Sequence, residues 1–169
     1  VVADTDFVGG ATASKTKGGI TGNGDVPDTV YRSERHGDFS YVLDGLTANT
    51  SYSLELHFAE IFFKEAGRRI FDVLVNGSLF LDDYDIYAVA GGKNTVAVET
   101  INAIADSSGA ITVSFVSGVE NAKISALALY GGGSPPEPDT DGEGVVDSIY
   151  LFPNDPTEWA DTDGDGMDD

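Results

Sequence analysis

The chain contains no cysteine among its 169 residues. That excludes disulfides, thiolate metal sites and cysteine nucleophiles. It also argues against a secreted animal protein, which more often carries disulfides, and suits an exported bacterial one. Histidine is nearly absent, with only His36 and His57, so a His-rich metal site is excluded too. No apolar run approaches the ~18 residues that a membrane span needs. Positive charge is scarce: nine Lys and Arg stand against 29 Asp and Glu, a net charge of −20. Such a surface repels phosphate backbones and argues against nucleic acid as a partner. A sustained 3.6-residue apolar stripe is missing as well, which argues against helices as the framework.

What is present is period-two alternation. In TSYSLELHFA (residues 50–59), Tyr52, Leu54, Leu56 and Phe58 fall on one face, and Ser53, Glu55 and His57 on the other. IFDVLV (70–75) predicts a second strand, closed by Asn76-Gly77, a pair that tolerates the positive φ of a tight hairpin. Further strands are expected from Phe39 and over 79–81, 84–90, 95–101, 110–116 and 123–130. Residues 1–30 are Gly-rich and aperiodic and read as surface loops. The pattern predicts an all-β protein, an antiparallel jelly-roll β-sandwich, over residues 1–130. GGGSPPEP (131–138) reads as a Gly/Pro linker. Val1 is not a natural start and Asp169 stops in mid-motif, so the chain reads as a fragment of something longer.

Residues 139–169 hold two copies of one acidic pattern. Asp139, Asp141, Glu143 and Asp147 occupy positions 1, 3, 5 and 9 of the first; Asp161, Asp163, Asp165 and Asp169 occupy those of the second. Glycines at positions 4 and 6 permit a tight wrap, and the position-7 carbonyls of Val145 and Met167 can turn inward. Ca2+ takes about 6–8 hard oxygen ligands, which such a looping segment supplies; Mg2+ holds its waters and demands stricter geometry. Without the cation the carboxylates repel one another, and too few apolar residues remain to fold the segment. The expected cofactor is therefore Ca2+.

The run DTDGEGVVDSIYLFPNDPTEWADTDGDGMDD closely resembles thrombospondin type 3 repeats of secreted bacterial proteins. That resemblance implies Asn154 and Asp155 as further calcium ligands, with Glu158 another candidate, and a calcium-rigidified spacer leading to a further domain. Two residues depart from the pattern: Glu143 replaces Asp, and Tyr150 stands where an Asp is usual, which leaves the first site one ligand short.

Within the sandwich, three segments attract notice: Tyr31 before Arg32-Ser33-Glu34-Arg35, the adjacent Phe62-Phe63 past a strand end, and the polar turn Gly118–Lys123. Aromatic faces flanked by carboxylates and amides suit pyranose rings, which offer C–H faces and hydroxyls together. The competing reading makes Tyr31 strand-edge packing and Phe62-Phe63 plugs at the sandwich end.

TVYRSERHGDFSYVL, then YSLELHFAEIFFKEAGRRIFDVLVNG, then ISALALYG resemble the malectin family of carbohydrate-binding domains. The resemblance implies a sugar site on loops at one end, carried by Tyr31, Phe62, Phe63, Glu120 and Asn121. Phe62 stands where animal members have Tyr, Glu120 stands for Asp in a loop one residue shorter, and Thr16–Ile20 lacks an aromatic found there in animal members. The family's N-A-G-G type opening strand is missing before Val1. The FAE, GRRIFDV and NG residues are expected to be structural, with Arg68, Arg69 and Asp72 pairing across strands.

No paired carboxylates, Ser-His-Asp set or phosphate loop stands out, so the chain is not expected to be an enzyme. The expected function is a non-catalytic carbohydrate-binding module on a calcium-stiffened stalk, secreted or at a bacterial cell surface. Its partners would be an oligo- or polysaccharide and neighbouring domains or copies of itself, without membrane insertion. It would target a polysaccharide-active parent protein or serve adhesion. The alternative is an assembly subunit of a surface layer or filament, paired through an open sheet edge.

Overall fold

A computed structural model describes residues 4–131. Nine strands and two short helices are arranged along them in the order β1 (Phe7–Ser14), α1 (Asp28–Tyr31), β2 (Ser33–Leu43), β3 (Ser51–Ala59), β4 (Ile70–Val75), β5 (Ser78–Tyr84), α2 (Ile86–Ala90), β6 (Val96–Ile104), β7 (Ile111–Val119), β8 (Lys123–Ile124) and β9 (Ala126–Gly131). One sheet runs β1-β2-β7-β4-β5, with β8 also paired to β2; the second runs β6-β3-β9. Every strand pairing is antiparallel. The described residues are thus all-β in class, a two-sheet sandwich, as the alternation predicts.

The core forms where the alternating faces meet. Leu54, Leu56 and Phe58 of β3 are fully buried and oppose Phe71 and Val73 of β4, Ile111, Val113 and Phe115 of β7, and Phe39 and Tyr41 of β2. Phe39 and Phe115 are register partners and their rings stack with centroids 4.5 Å apart. Each such side chain contributes roughly 1.5–3 kcal/mol by leaving water. Asn76 (φ 49°) and Gly77 (φ 78°) close the β4–β5 hairpin in the left-handed conformation that the Asn-Gly pair adopts readily.

Three expectations need correction. The Gly-rich start is not all loop: Phe7–Ser14 is an edge strand, whose lack of alternation reflects full exposure and a register irregularity between Gly9 and Ala11. Residues 84–90 are not a strand. Tyr84 ends β5, Asp85 caps the helix Ile86–Ala90 by accepting from Ala88 N at 3.1 Å, and left-handed Gly91 stops it. Finally, β9 continues to Gly131, one residue beyond the expected sandwich end. The linker beyond Gly131 and every calcium ligand named between Asp139 and Asp169 lie outside the described residues. No helix among the described residues is long and apolar enough to cross a membrane.

Candidate ligand-binding site

β3 leaves the sandwich through Ala59-Glu60-Ile61-Phe62-Phe63, and Glu60 organises this exit loop. Its side chain is 1% exposed. Oε1 accepts from the backbone amides of Phe62 (2.7 Å) and Phe63 (3.1 Å), and Oε2 accepts from Arg69 Nε at 2.7 Å. The loop therefore turns around a carboxylate, which satisfies two amides that no strand partner reaches. Arg69, itself buried, also donates through Nη1 to the Asn121 carbonyl, tying the β3 exit loop to the β7–β8 turn. At the tip of that turn Glu120 holds φ at 58°, a left-handed conformation uncommon for a residue with a Cβ.

Beneath these loops lies Lys123, fully buried, paired with Glu34 and donating to the Ala59 carbonyl at 2.7 Å. Burial pulls its pKa below the ordinary lysine value despite the Glu34 carboxylate. Burial pushes Glu60 in the other direction, but the Arg69 hydrogen bond and the charges of Lys123 and Arg69 prevail, leaving its pKa below the usual carboxylate range. These buried charges are compensated in pairs, the condition under which a core tolerates them.

The outcome is an open cleft of about 460 Å³ at one end of the sandwich. Phe62, Phe63, Glu120 and Asn121, four of the five residues singled out for sugar contact, line it together. Ala13 and Ser14 from the end of β1, Lys15 just beyond it, Glu34 and His36 from β2, and Ile61 and Arg69 complete the wall. Phe62 is 63% exposed, and its ring meets that of Phe63 edge-on with centroids 5.5 Å apart. The Lys15 ammonium sits 4.7 Å from the Phe62 ring centroid and donates to the Ile61 carbonyl. The cleft so offers an exposed aromatic face, carboxylates, an amide and cationic donors, suited to a ligand with both C–H and hydroxyl surfaces.

Tyr31 is the correction. It is 1% exposed, packed with Ala59 and Ile61 in a small second core, and its hydroxyl lies 2.8 Å from His57 Nδ1. The reason is local. The single helical turn Asp28–Tyr31 directs the ring inward, so Tyr31 supports the β3 exit loop from behind rather than facing a ligand. His57 in turn lies 3.3 Å from Glu55. Arg69 likewise differs from expectation: its partner is Glu60, not Asp72, whose carboxylate accepts from the backbone amide of Asp83.

Sequence reasoning passed over Lys15, Glu34 and His36. Glu34 and His36 stand two apart on β2, a spacing visible in the sequence once β2 is known to start at Ser33. Lys15 carries no sequence signal, because its place depends on the unrecognised β1.

Comparison with known proteins bears on the family and the fold. The Malectin domain model matches residues 2–127. A kinesin-like protein, KIN-14E of Oryza sativa subsp. japonica, is 38% identical over 122 residues, covering 68% of this chain and 11% of that protein. Malectin-A of Xenopus laevis is 30% identical over 120 residues, 61% of this chain and 42% of that one. In fold, the chain is similar to the extracellular domain of ANXUR1 from Arabidopsis thaliana, with a TM-score of 0.64 at 17% identity, over 75% of this chain and 42% of that one. The chain thus spans less than half the length of these relatives. With the family model covering most of the sequence, the chain belongs to the malectin-domain family.

Proposed function

We propose that the sandwich is a non-catalytic carbohydrate-binding module working outside the cell, presented on a calcium-stiffened acidic segment over residues 139–169. The observation that carries the reading is the cleft in which an exposed Phe62 ring faces solvent beside Phe63, Glu120 and Asn121. An aromatic ring left in water at a loop tip gains by stacking on a pyranose C–H face, and the surrounding carboxylate and amide oxygens accept the sugar's hydroxyl protons. The resemblance of residues 27–130 to carbohydrate-binding malectins supports the same reading. The site is built from groups that bind and orient, and Glu60, Arg69 and Lys123 are occupied in holding the loops together.

A glycan array, with Phe62→Ala as the comparison, tests the module. Binding that Phe62→Ala abolishes is the expected result. No binding to any glycan, together with concentration-dependent self-association, would instead favour the assembly role. The calcium segment is tested by calorimetric titration with Ca2+, then by chelation. Saturable uptake is expected, with the thermal transition of the sandwich retained after EDTA; global unfolding on chelation overturns the spacer role.

A further inference from the structure

Four strands, β1, β5, β6 and β9, stand at the ends of the two sheets, and three of them are guarded against pairing with another chain. β1 carries Gly9 and Gly10 at positive φ and a register irregularity between Gly9 and Ala11. β5 is irregular in register and holds the adjacent carboxylates of Asp82 and Asp83. β6 is met at its start by the Thr21–Thr95 bridge and at its end by the Asn76 side-chain amide, which donates to the Ile104 carbonyl at 2.8 Å. β9 has none of these devices. The strand Ala126–Gly131 contains no charge and no proline, pairs with β3 without a break in register, and among the described residues pairs with nothing on its other side. Leu54 and Leu56 of β3 are fully buried, yet their register partners Leu129 and Leu127, which pack against the same core, are only half-buried. Tyr130, on the opposite face of the strand, is 54% exposed. An unguarded apolar edge of this kind is a template for a further strand.

We infer that β9 of a second copy of this chain fills that place, antiparallel and about a two-fold axis through Ala128. This register keeps every side chain on its own face. Leu127 and Leu129 complete their burial against the partner's Leu129 and the partner's Leu127, while the small Ala126 leaves room for the partner's Tyr130 on the outer face. Charge decides the occupant. A chain of net charge −20 meets a second copy of itself at least cost where charge is absent, and β9 offers six uncharged residues. Residues 134–169, which follow the strand, hold 12 acids and no base. Antiparallel pairing sends the two Gly131 ends in opposite directions, about 20 Å apart at ~3.4 Å per residue, more than twice the Debye length of about 8 Å at physiological salt. Parallel pairing would set the two acidic segments side by side. A two-fold contact uses the same patch on both copies and closes at two. The inference is independent of the carbohydrate reading, since no residue of β9 lines the cleft.

Sedimentation equilibrium on the full chain tests this, with EDTA present so that Ca2+ cannot bridge the acidic segments of two copies. Contact along one strand edge is small, so a monomer–dimer equilibrium with a Kd of roughly 10–100 μM is expected. Raising NaCl from about 50 to about 500 mM should tighten it at least about threefold, by screening the repulsion between two chains of charge −20. Tyr130→Glu, on an exposed side chain, should weaken it at least about tenfold and leave the thermal transition of the sandwich in place. Because the chain has no cysteine, Ala128→Cys supplies a single thiol. The two-fold axis sets it against its own copy with about 4.5–5.5 Å between Cβ atoms, which a small adjustment brings within disulfide reach. Mild oxidation should link Ala128→Cys at least about tenfold faster than Val98→Cys, an exposed control on β6. A monomer at every concentration overturns the inference, whether the edge is bare or covered within one chain. So does association that runs past the dimer, or a dimer that Tyr130→Glu leaves intact and that Ala128→Cys links no faster than Val98→Cys.

Discussion

Replacing Glu60 with alanine should unsettle the fold and the cleft together. The side chain is 1% exposed and satisfies three donors: the amides of Phe62 and Phe63 and the Arg69 guanidinium. Glu60→Ala leaves the guanidinium in the protein interior without its counter-ion, a change that costs about 3–5 kcal/mol when one partner of a buried pair is removed. For a domain of this size, at about 3–4 °C per kcal/mol, the midpoint of thermal unfolding should fall by roughly 10–20 °C. Glu60→Gln keeps a carbonyl for the two loop amides but loses the charge, and its cost should be smaller, about 1.5–3 kcal/mol.

Urea denaturation is the assay, because an unchanged slope with a shifted midpoint separates lost stability from a changed unfolded state. The double variant Glu60→Leu with Arg69→Met supplies the decisive comparison. Removing both charges removes the uncompensated one, so the pair of changes should cost clearly less than the sum of the two singles. A Glu60→Ala loss below about 1 kcal/mol, or additive effects of the two changes, would refute the claim that the carboxylate and guanidinium hold the loops as a unit.

Acid should weaken the same clamp. Burial raises the Glu60 pKa, but the Arg69 hydrogen bond and nearby cations bring it below its ordinary value of 4.5; Asp4 is likewise lowered, by Arg35 and Tyr41 acting against burial. Their stabilisation is complete above the ordinary carboxylate pKa values and disappears as pH falls through the depressed folded ones. Denaturation midpoints measured from pH 7 to pH 2 should fall, and fall less steeply in Glu60→Gln. Tyr31→Phe loses the hydroxyl contact with His57, at a cost of about 1 kcal/mol in urea, and leaves glycan affinity intact; loss of binding without loss of stability would return Tyr31 to the site. Gly109→Ala should cost about 2 kcal/mol or more, since a Cβ there would lie 2.2 Å from the Leu46 carbonyl oxygen at a φ of 79°. Gly67→Ala, at a φ of 78° in open space, should cost about 1 kcal/mol, so equal midpoints for the two would remove the steric argument.

The sandwich was legible because its central strands obey a rule that sequence displays. Leu54, Leu56 and Phe58 alternate with Ser53, Glu55 and His57 because β3 is the middle strand of its sheet and buries one face. β1 was not legible for the opposite reason: an edge strand with every residue exposed has no buried face to write an alternation. Residues 84–90 misled because YDIYAVA is apolar at nearly every position, and in so short a run periodicity does not separate strand from helix. The cap at Asp85 and left-handed Gly91 decide it.

The same distinction governs the site. Phe62 and Phe63 stood out because adjacent aromatics beyond a strand end cannot both enter one core, whereas Glu120 and Asn121 stood out only as part of a polar turn and were placed at the cleft by the family resemblance. Tyr31 looked equivalent in sequence, yet one helical turn ahead of β2 sends it inward, a difference that no pattern over four residues records. The cations beside Phe62 and Phe63 were hidden further still. Lys15, Lys93 and Arg69 come from three separate segments and meet only because the exit loop from β3 offers the Ile61 and Phe62 carbonyls and the Glu60 carboxylate as anchors. A charge count over the whole chain therefore records acid and says nothing of which side chains these anchors collect.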